Sequence, residues 1–221
     1  FFWKFLVIFV YKHLIKMSNE NKVWRWGIIG CGKISSDWCN VLLNDDRCII
    51  QSCAARSLAS AQKFAKKFDI PIENAYDSYE TLAKDDNVDI IYIGTIHPNH
   101  RSSSLLGLNN GKHILCEKPV TMNNQELQEV LDCARKHGLF YMEGMWTRFF
   151  PAIKQVREWV NSGTIGDVIT VDCNFGFKMP SPKVAPRLWD NKLGGGLLLD
   201  IGIYPVSALE MIFGPQLPKE M

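Results

Sequence analysis

The chain alternates between short apolar runs and longer stretches with helical spacing. WRWGIIG (24–30) is apolar and ends in glycine; CGKISSDWCNVLL follows with Ile34, Trp38, Val41 and Leu42 on one helical face. CIIQSCAA (48–55) reads as a second strand and SLASAQKFAKKF (57–68) as the helix after it. SYETLAK (78–84) is a short helix with Ser78 at its cap, and VDIIYIGT (88–95) is a β-branched run of the buried-strand kind. PNHRSSSLLGLNNG, HILCEK, NNQELQEVLDCARKHG and LFYMEG continue the pattern. Strands and helices alternating at this spacing predict an α/β fold, a doubly wound parallel sheet covered on both faces. Its ligands are expected at the carboxyl ends of the strands.

Past residue 150 the period changes. PAIKQVREWVNSG predicts a helix ending at Gly163, and IGDVITVDCNFGF (165–177) alternates as a strand with one buried face. A Pro-rich loop, MPSPKVAPRLWD, then leads into GGGLLLDIGIYP (194–205) and VSALEMIFG. One strand and one helix do not make an independent domain, so the chain is expected to break off inside its second domain. The expected division is an extension over 1–22, a dinucleotide-binding domain over 23–145 and a partial substrate domain over 146–221. The extension begins FFWKFLVIFVYKHLIK, too short for a membrane span and without the basic start and cleavage site of a signal peptide. Met17 is the expected natural start, and an interfacial anchor is the lesser reading of residues 1–16.

Composition narrows the classes. Of 221 residues, 47% are hydrophobic and 22% charged, which is ordinary for a soluble globular protein. A net charge of +2 with no basic block gives no reason to expect nucleic acid, and no membrane partner is expected. Seven scattered cysteines without a CxxC pair argue against a disulfide framework or a zinc site. No metal is expected, and a reducing cytoplasm suits the thiols.

The chemistry begins at Gly30-Cys-Gly32-Lys33-Ile34-Ser35, a GxGxxG-type turn with Ser in the third glycine position. The first glycine permits the tight turn, and the second lets a pyrophosphate approach a helix N-terminus. The second strand ends in Ala54-Ala55-Arg56-Ser57 without the carboxylate that holds an NAD ribose. A guanidinium and a hydroxyl suit a 2′-phosphate, so NADP is favoured, although Ser57 could equally cap the next helix. Thr95-Ile-His97-Pro-Asn99-His100 and Cys116-Glu117-Lys118-Pro119 fall at strand ends, on the ligand-binding edge. In GGGLLLDIGIYP, Asp200 and Tyr204 are polar groups in an apolar stretch. Taken alone, that segment reads as a helix cap and a packed phenol ahead of a proton-transfer pair. Pro205 places the helix start near Gly202 or Ile203.

WGIIGCGKIS, GTIHPNH, CEKP and LGGGLLLDIGIYP occur in this order within residues 24–214, with MEGMWTRFFPA at 142–152. Together they resemble the glucose–fructose oxidoreductase and inositol dehydrogenase superfamily. The resemblance implies a Rossmann domain followed by an α+β domain on an open antiparallel sheet, most of it downstream of Met221. It implies that Lys118, Asp200 and Tyr204 are catalytic, with Tyr where many relatives carry His. Cofactor contacts would come from Gly30, Gly32, Lys33, Ile34, Arg56, Ser57, Thr95, His97, Asn99, Glu117 and Lys118. Trp146, Arg148, Phe149 and His100 would meet the substrate, although Trp146 could equally serve domain packing. The implied activity is NADP-dependent oxidation of a vicinal diol (a trans-dihydrodiol) or an aldopentose such as D-xylose. The full-length protein is expected to be a cytoplasmic homodimer. Two rivals remain: a dinucleotide-binding regulatory protein without turnover, and an inactive fragment.

Overall fold

The computed structural model describes Val10, residues 22–176 and residues 178–214. The expected extension, Met17 included, therefore lies outside the described residues except for Val10. The chain divides into two compact units, one running to Gly144 and the other starting at Met145.

The first unit is built on a parallel sheet of six strands in the order β3-β2-β1-β4-β5-β6. The strands are β1 (Trp24–Ile29), β2 (Cys48–Ala54), β3 (Ala75–Tyr76), β4 (Ile90–Ile93), β5 (His113–Cys116) and β6 (Tyr141–Glu143). Helices α1 (Lys33–Leu42), α2 (Leu58–Lys67), α3 (Tyr79–Ala83), α4 (His100–Asn109) and α5 (Asn124–His137) accompany them. The order reverses between β1 and β4, and a parallel sheet opens a ligand crevice at such a switch point. Local chemistry sets the helix starts. The Ser57, Ser78 and Asn123 side chains accept the N–H groups of Ser60, Thr81 and Glu126. At its other end α5 stops on Gly138, whose φ of 63° is left-handed.

Every residue of β4 is buried, as the continuous apolar run requires of a central strand. Trp38 stacks on Tyr92 of that strand (5.4 Å, 12°) and meets Trp26 edge-to-face at 5.3 Å. The buried face of α1 is Ser35, Trp38, Cys39 and Leu42, which corrects the expected stripe. Ile34 and Val41 lie half-buried at its margin, because the small Ser35 is the residue turned towards the sheet.

The second unit holds α6 (Pro151–Asn161) and α7 (Ile203–Phe213), with a π-helical turn over Leu198–Gly202 leading into α7. Helix α7 starts at Ile203, and Asp200 sits within the wide turn. Pro205 has no N–H to offer the carbonyl one turn back, and an i→i+5 turn is one way a chain absorbs that loss. The strand expected over 165–177 is not formed. Residues 167–176 lack a strand ladder, and Ile169 is 89% exposed. An alternating pattern defines a face, but a strand also needs a partner ladder, and none exists among this unit's described residues. The antiparallel sheet implied by the resemblance is thus not seen among them. The run Asn191–Phe213 has a mean hydropathy of 1.5 and is long and apolar enough to cross a membrane by length and composition alone. A helix enclosed by other protein shows the same all-round apolarity.

Candidate active site

The glycine turn lies at the switch point. Gly30 has φ of 90°, and a Cβ on it would stand 2.9 Å from the Gly94 carbonyl oxygen. Its N–H donates to Ala54 O at 2.9 Å, and the Gly94 N–H donates to Ile29 O at 2.9 Å. The turn is thereby pinned between the ends of β2 and β4. Ser35 occupies the third glycine position with its hydroxyl donating to the Gly30 carbonyl. Any Cβ at Gly94 would strike that hydroxyl. The space normally left by the third glycine of the turn is left here by Gly94, so the departure at Ser35 is absorbed across the sheet.

The N-terminus of α1 has the character of an anion site. Gly32 at the N-cap is extended, no side chain caps the helix, and its first turn contains no acidic residue. A Cβ on Gly32 would meet nothing within 4 Å. Backbone N–H groups and the helix dipole at an uncapped, open terminus favour an anion such as a dinucleotide pyrophosphate. The residues present therefore fit the group that the turn implies. Lys33 opens the helix and Ile34 is half-buried behind it. At the adjoining end of β2, Arg56 is exposed, and Ala54-Ala55-Arg56-Ser57 includes no carboxylate. Ser57 is engaged as the cap of α2, its Oγ accepting from Ser60 N at 3.4 Å.

The two polar loops after β4 and β5 are locked together by a histidine. His100 is fully buried, with Nδ1 2.7 Å from Pro119 O and Nε2 3.0 Å from Thr95 O. Burial pushes its pKa down. The expected substrate contact at His100 is corrected: the ring is an internal strut, with both nitrogens on backbone carbonyls. His97 is also buried, edge-on to His100 at 5.7 Å. Thr95 and Asn99 are half-buried beside them, Asn99 leading into α4. Glu117 is buried and accepts the Tyr92 hydroxyl at 2.7 Å and the Lys118 backbone N–H. Burial raises its carboxyl to about 7, and the Tyr92 hydrogen bond only partly offsets this. Lys118 is half-buried and is followed by a cis peptide bond to Pro119. Its backbone is thus held by Glu117 on one side and by the His100–Pro119 contact on the other.

In the second unit Tyr204 has an aromatic setting. Trp146 Nε1 donates to Tyr204 Oη at 2.9 Å, with the rings perpendicular at 89°. Phe175 packs on Tyr204 from a second side, at 5.3 Å. One turn earlier, Asp200 accepts from Arg187 at 3.4 Å and is 14% exposed. Arg148 donates to Ser207 Oγ at 2.8 Å and pairs with Glu210, tying the turn at 146–149 to α7. Phe149 is buried at 9% exposure. Arg148 thus ties the turn to α7 and Phe149 packs beneath it. Pattern reasoning overlooked Tyr92, Gly94, Phe175 and Arg187. Only Gly94, which opens the GTIHPNH motif, carried a local signal.

A Rossmann sheet with an open glycine turn at its switch point defines a dinucleotide-binding fold. The chain belongs to the GFO/IDH/MocA oxidoreductase family: residues 24–145 match its NAD-binding Rossmann fold and residues 153–219 its C-terminal domain. It is 46% identical over 199 residues to trans-1,2-dihydrobenzene-1,2-diol dehydrogenase of Sus scrofa, covering 89% of this chain and 58% of that protein. The Homo sapiens protein of that name is also 46% identical, with the same coverage. The chain therefore spans less than two thirds of these relatives. Among solved structures, a 3-ketoreductase from Actinomadura kijaniata with NADP and TDP-benzene is 28% identical at a TM-score of 0.74. That match covers 86% of this chain and 57% of the ketoreductase. The scyllo-inositol dehydrogenase of Lactobacillus casei (20% identical, TM-score 0.72, covering 87% of this chain and 55% of that one) shares the fold.

Proposed function

We propose that the protein carrying this chain is an NADP-dependent dehydrogenase that oxidises a secondary alcohol of a vicinal diol, such as a trans-dihydrodiol, or of an aldopentose such as D-xylose. The observation that carries the reading is the 46% identity to dihydrodiol dehydrogenases over 89% of the chain. Arg56 at the end of β2, with no carboxylate beside it, supports the preference for NADP. So does the solved 3-ketoreductase complex with that cofactor.

A bound NADP supplies the hydride acceptor. The chain's own residues hold it and manage the proton. In this reading the Gly30–Gly32 turn and the N-terminus of α1 take the pyrophosphate, and Arg56 takes the 2′-phosphate. Tyr204 Oη removes the proton from the substrate hydroxyl. A free phenol titrates near 10 and is a poor base at neutral pH. Lys118 is assigned the positive charge that favours the phenolate, and Asp200, oriented by Arg187, holds a substrate hydroxyl. The test is turnover of the whole protein on benzene dihydrodiol and on D-xylose, with NADP and with NAD. NADP-dependent oxidation of either substrate is expected. Tight NADP binding without turnover on either would establish the non-catalytic alternative.

A further inference from the structure

Trp146 stands in a specific chemical relation to Tyr204. An indole N–H is a donor only, so in the 2.9 Å contact the phenol oxygen must be the acceptor. A donor that can only give its proton stabilises the phenolate more than the phenol, and so favours ionisation. The perpendicular ring arrangement and the Phe175 ring on the other side restrict where the phenol can move.

Among the described residues, Lys154, Arg157 and Glu158 lie on α6, which packs on the helix carrying Tyr204. Asp200 precedes Tyr204 by one turn and is engaged by Arg187. Glu210, further along α7, is paired with Arg148 from the turn that carries Trp146. Asp172 and Lys178 flank Phe175 in the sequence, and both are exposed. The uncharged indole is the side chain seen donating to the phenol oxygen itself.

We infer that Trp146 is a positioning residue, whose indole N–H holds Tyr204 Oη in place and lowers the pH at which it works as a base. The inference rests on the acid/base role proposed for Tyr204, but its central readout does not require turnover. Replacing Trp146 by its benzothiophene isostere in the whole protein keeps the ring shape and deletes only the N–H. Tyr204 ionisation is then followed by tyrosinate difference absorbance against Tyr204→Phe. The expected result is a titration midpoint raised by about one pH unit. If the protein turns over, the acid limb of kcat should move up by the same amount, with a fall in kcat of about tenfold at neutral pH and KM nearly unchanged. Trp146→Phe should give the same shift. An unmoved or lowered midpoint in the isostere overturns the inference, as does a change confined to KM, which would make Trp146 a substrate wall. Absence of turnover in the unsubstituted protein would defeat the proposed function, and the absorbance titration would still decide the role of Trp146.

Discussion

The two units bury their apolar residues in opposite ways. In the first, β4 is buried throughout and Trp24, Trp26 and Trp38 are at most 2% exposed. In the second, α6 and α7 contain no buried residue, and Leu198 and Val206 are 75% and 56% exposed. The first unit is held by a core its own strands and helices enclose. The described part of the second buries only a few apolar side chains, among them Met145, Phe149 and Ile201, and adds directed polar ties: Trp146 to Tyr204, Arg148 to Ser207 and Glu210, and Arg187 to Asp200. The glycine turn therefore rests on an enclosed core, and the Tyr204 site on a few hydrogen bonds and ring contacts. Mutations should act accordingly, through stability in the first unit and through geometry in the second.

The largest expected contrast is between two tryptophans. Trp38→Ala empties a fully buried position between Trp26 and Tyr92 and should cost about 3–5 kcal/mol, read as a lower urea midpoint. Trp159→Ala, on α6 at 45% exposure, should cost no more than about 0.5 kcal/mol. Equal effects would end the distinction between the units.

Next comes the Ser35–Gly94 pair. Gly94→Ala drives a methyl into the Ser35 hydroxyl and should destabilise by about 1–3 kcal/mol, with weaker NADP binding. Adding Ser35→Gly should restore most of both losses. A double variant no better than Gly94→Ala would show that the two residues do not share that space.

The effect expected from Glu117 is confined to a pH window. Its folded carboxyl is raised from the ordinary 4.5 to about 7, so the folded state binds a proton more tightly than the unfolded chain. Its contribution to stability is fully present below 4.5 and is lost as pH rises through about 7, a change on the order of 3 kcal/mol. Unfolding measured from pH 4 to 8 should show that decline in the unsubstituted protein, and a flatter profile in Glu117→Gln. Parallel profiles would remove the claim.

The alternation of strands and helices was legible because each element carries its own period, and Ser57 and Ser78 were legible as caps because capping is local. The glycine turn was legible for the same reason. What escaped was long-range: Tyr92 reaches Glu117 across 25 positions and Trp146 reaches Tyr204 across 58, and no local pattern encodes such pairs. His100 misled because a histidine beside a ligand-edge motif looks chemical, while its burial and two carbonyl partners emerge only from the fold. The segment at 165–177 misled because alternation reports a face and says nothing of a partner strand.

The central claim is that the first unit binds the cofactor and Tyr204 moves the proton. Its most direct test is Tyr204→Phe in the whole protein, with the NADP dissociation constant and kcat on benzene dihydrodiol or D-xylose measured together. The account predicts an unchanged dissociation constant and a kcat lower by about 10²–10⁴-fold. A kcat within about twofold of the unsubstituted protein would contradict it and return Tyr204 to the packing of its aromatic neighbours.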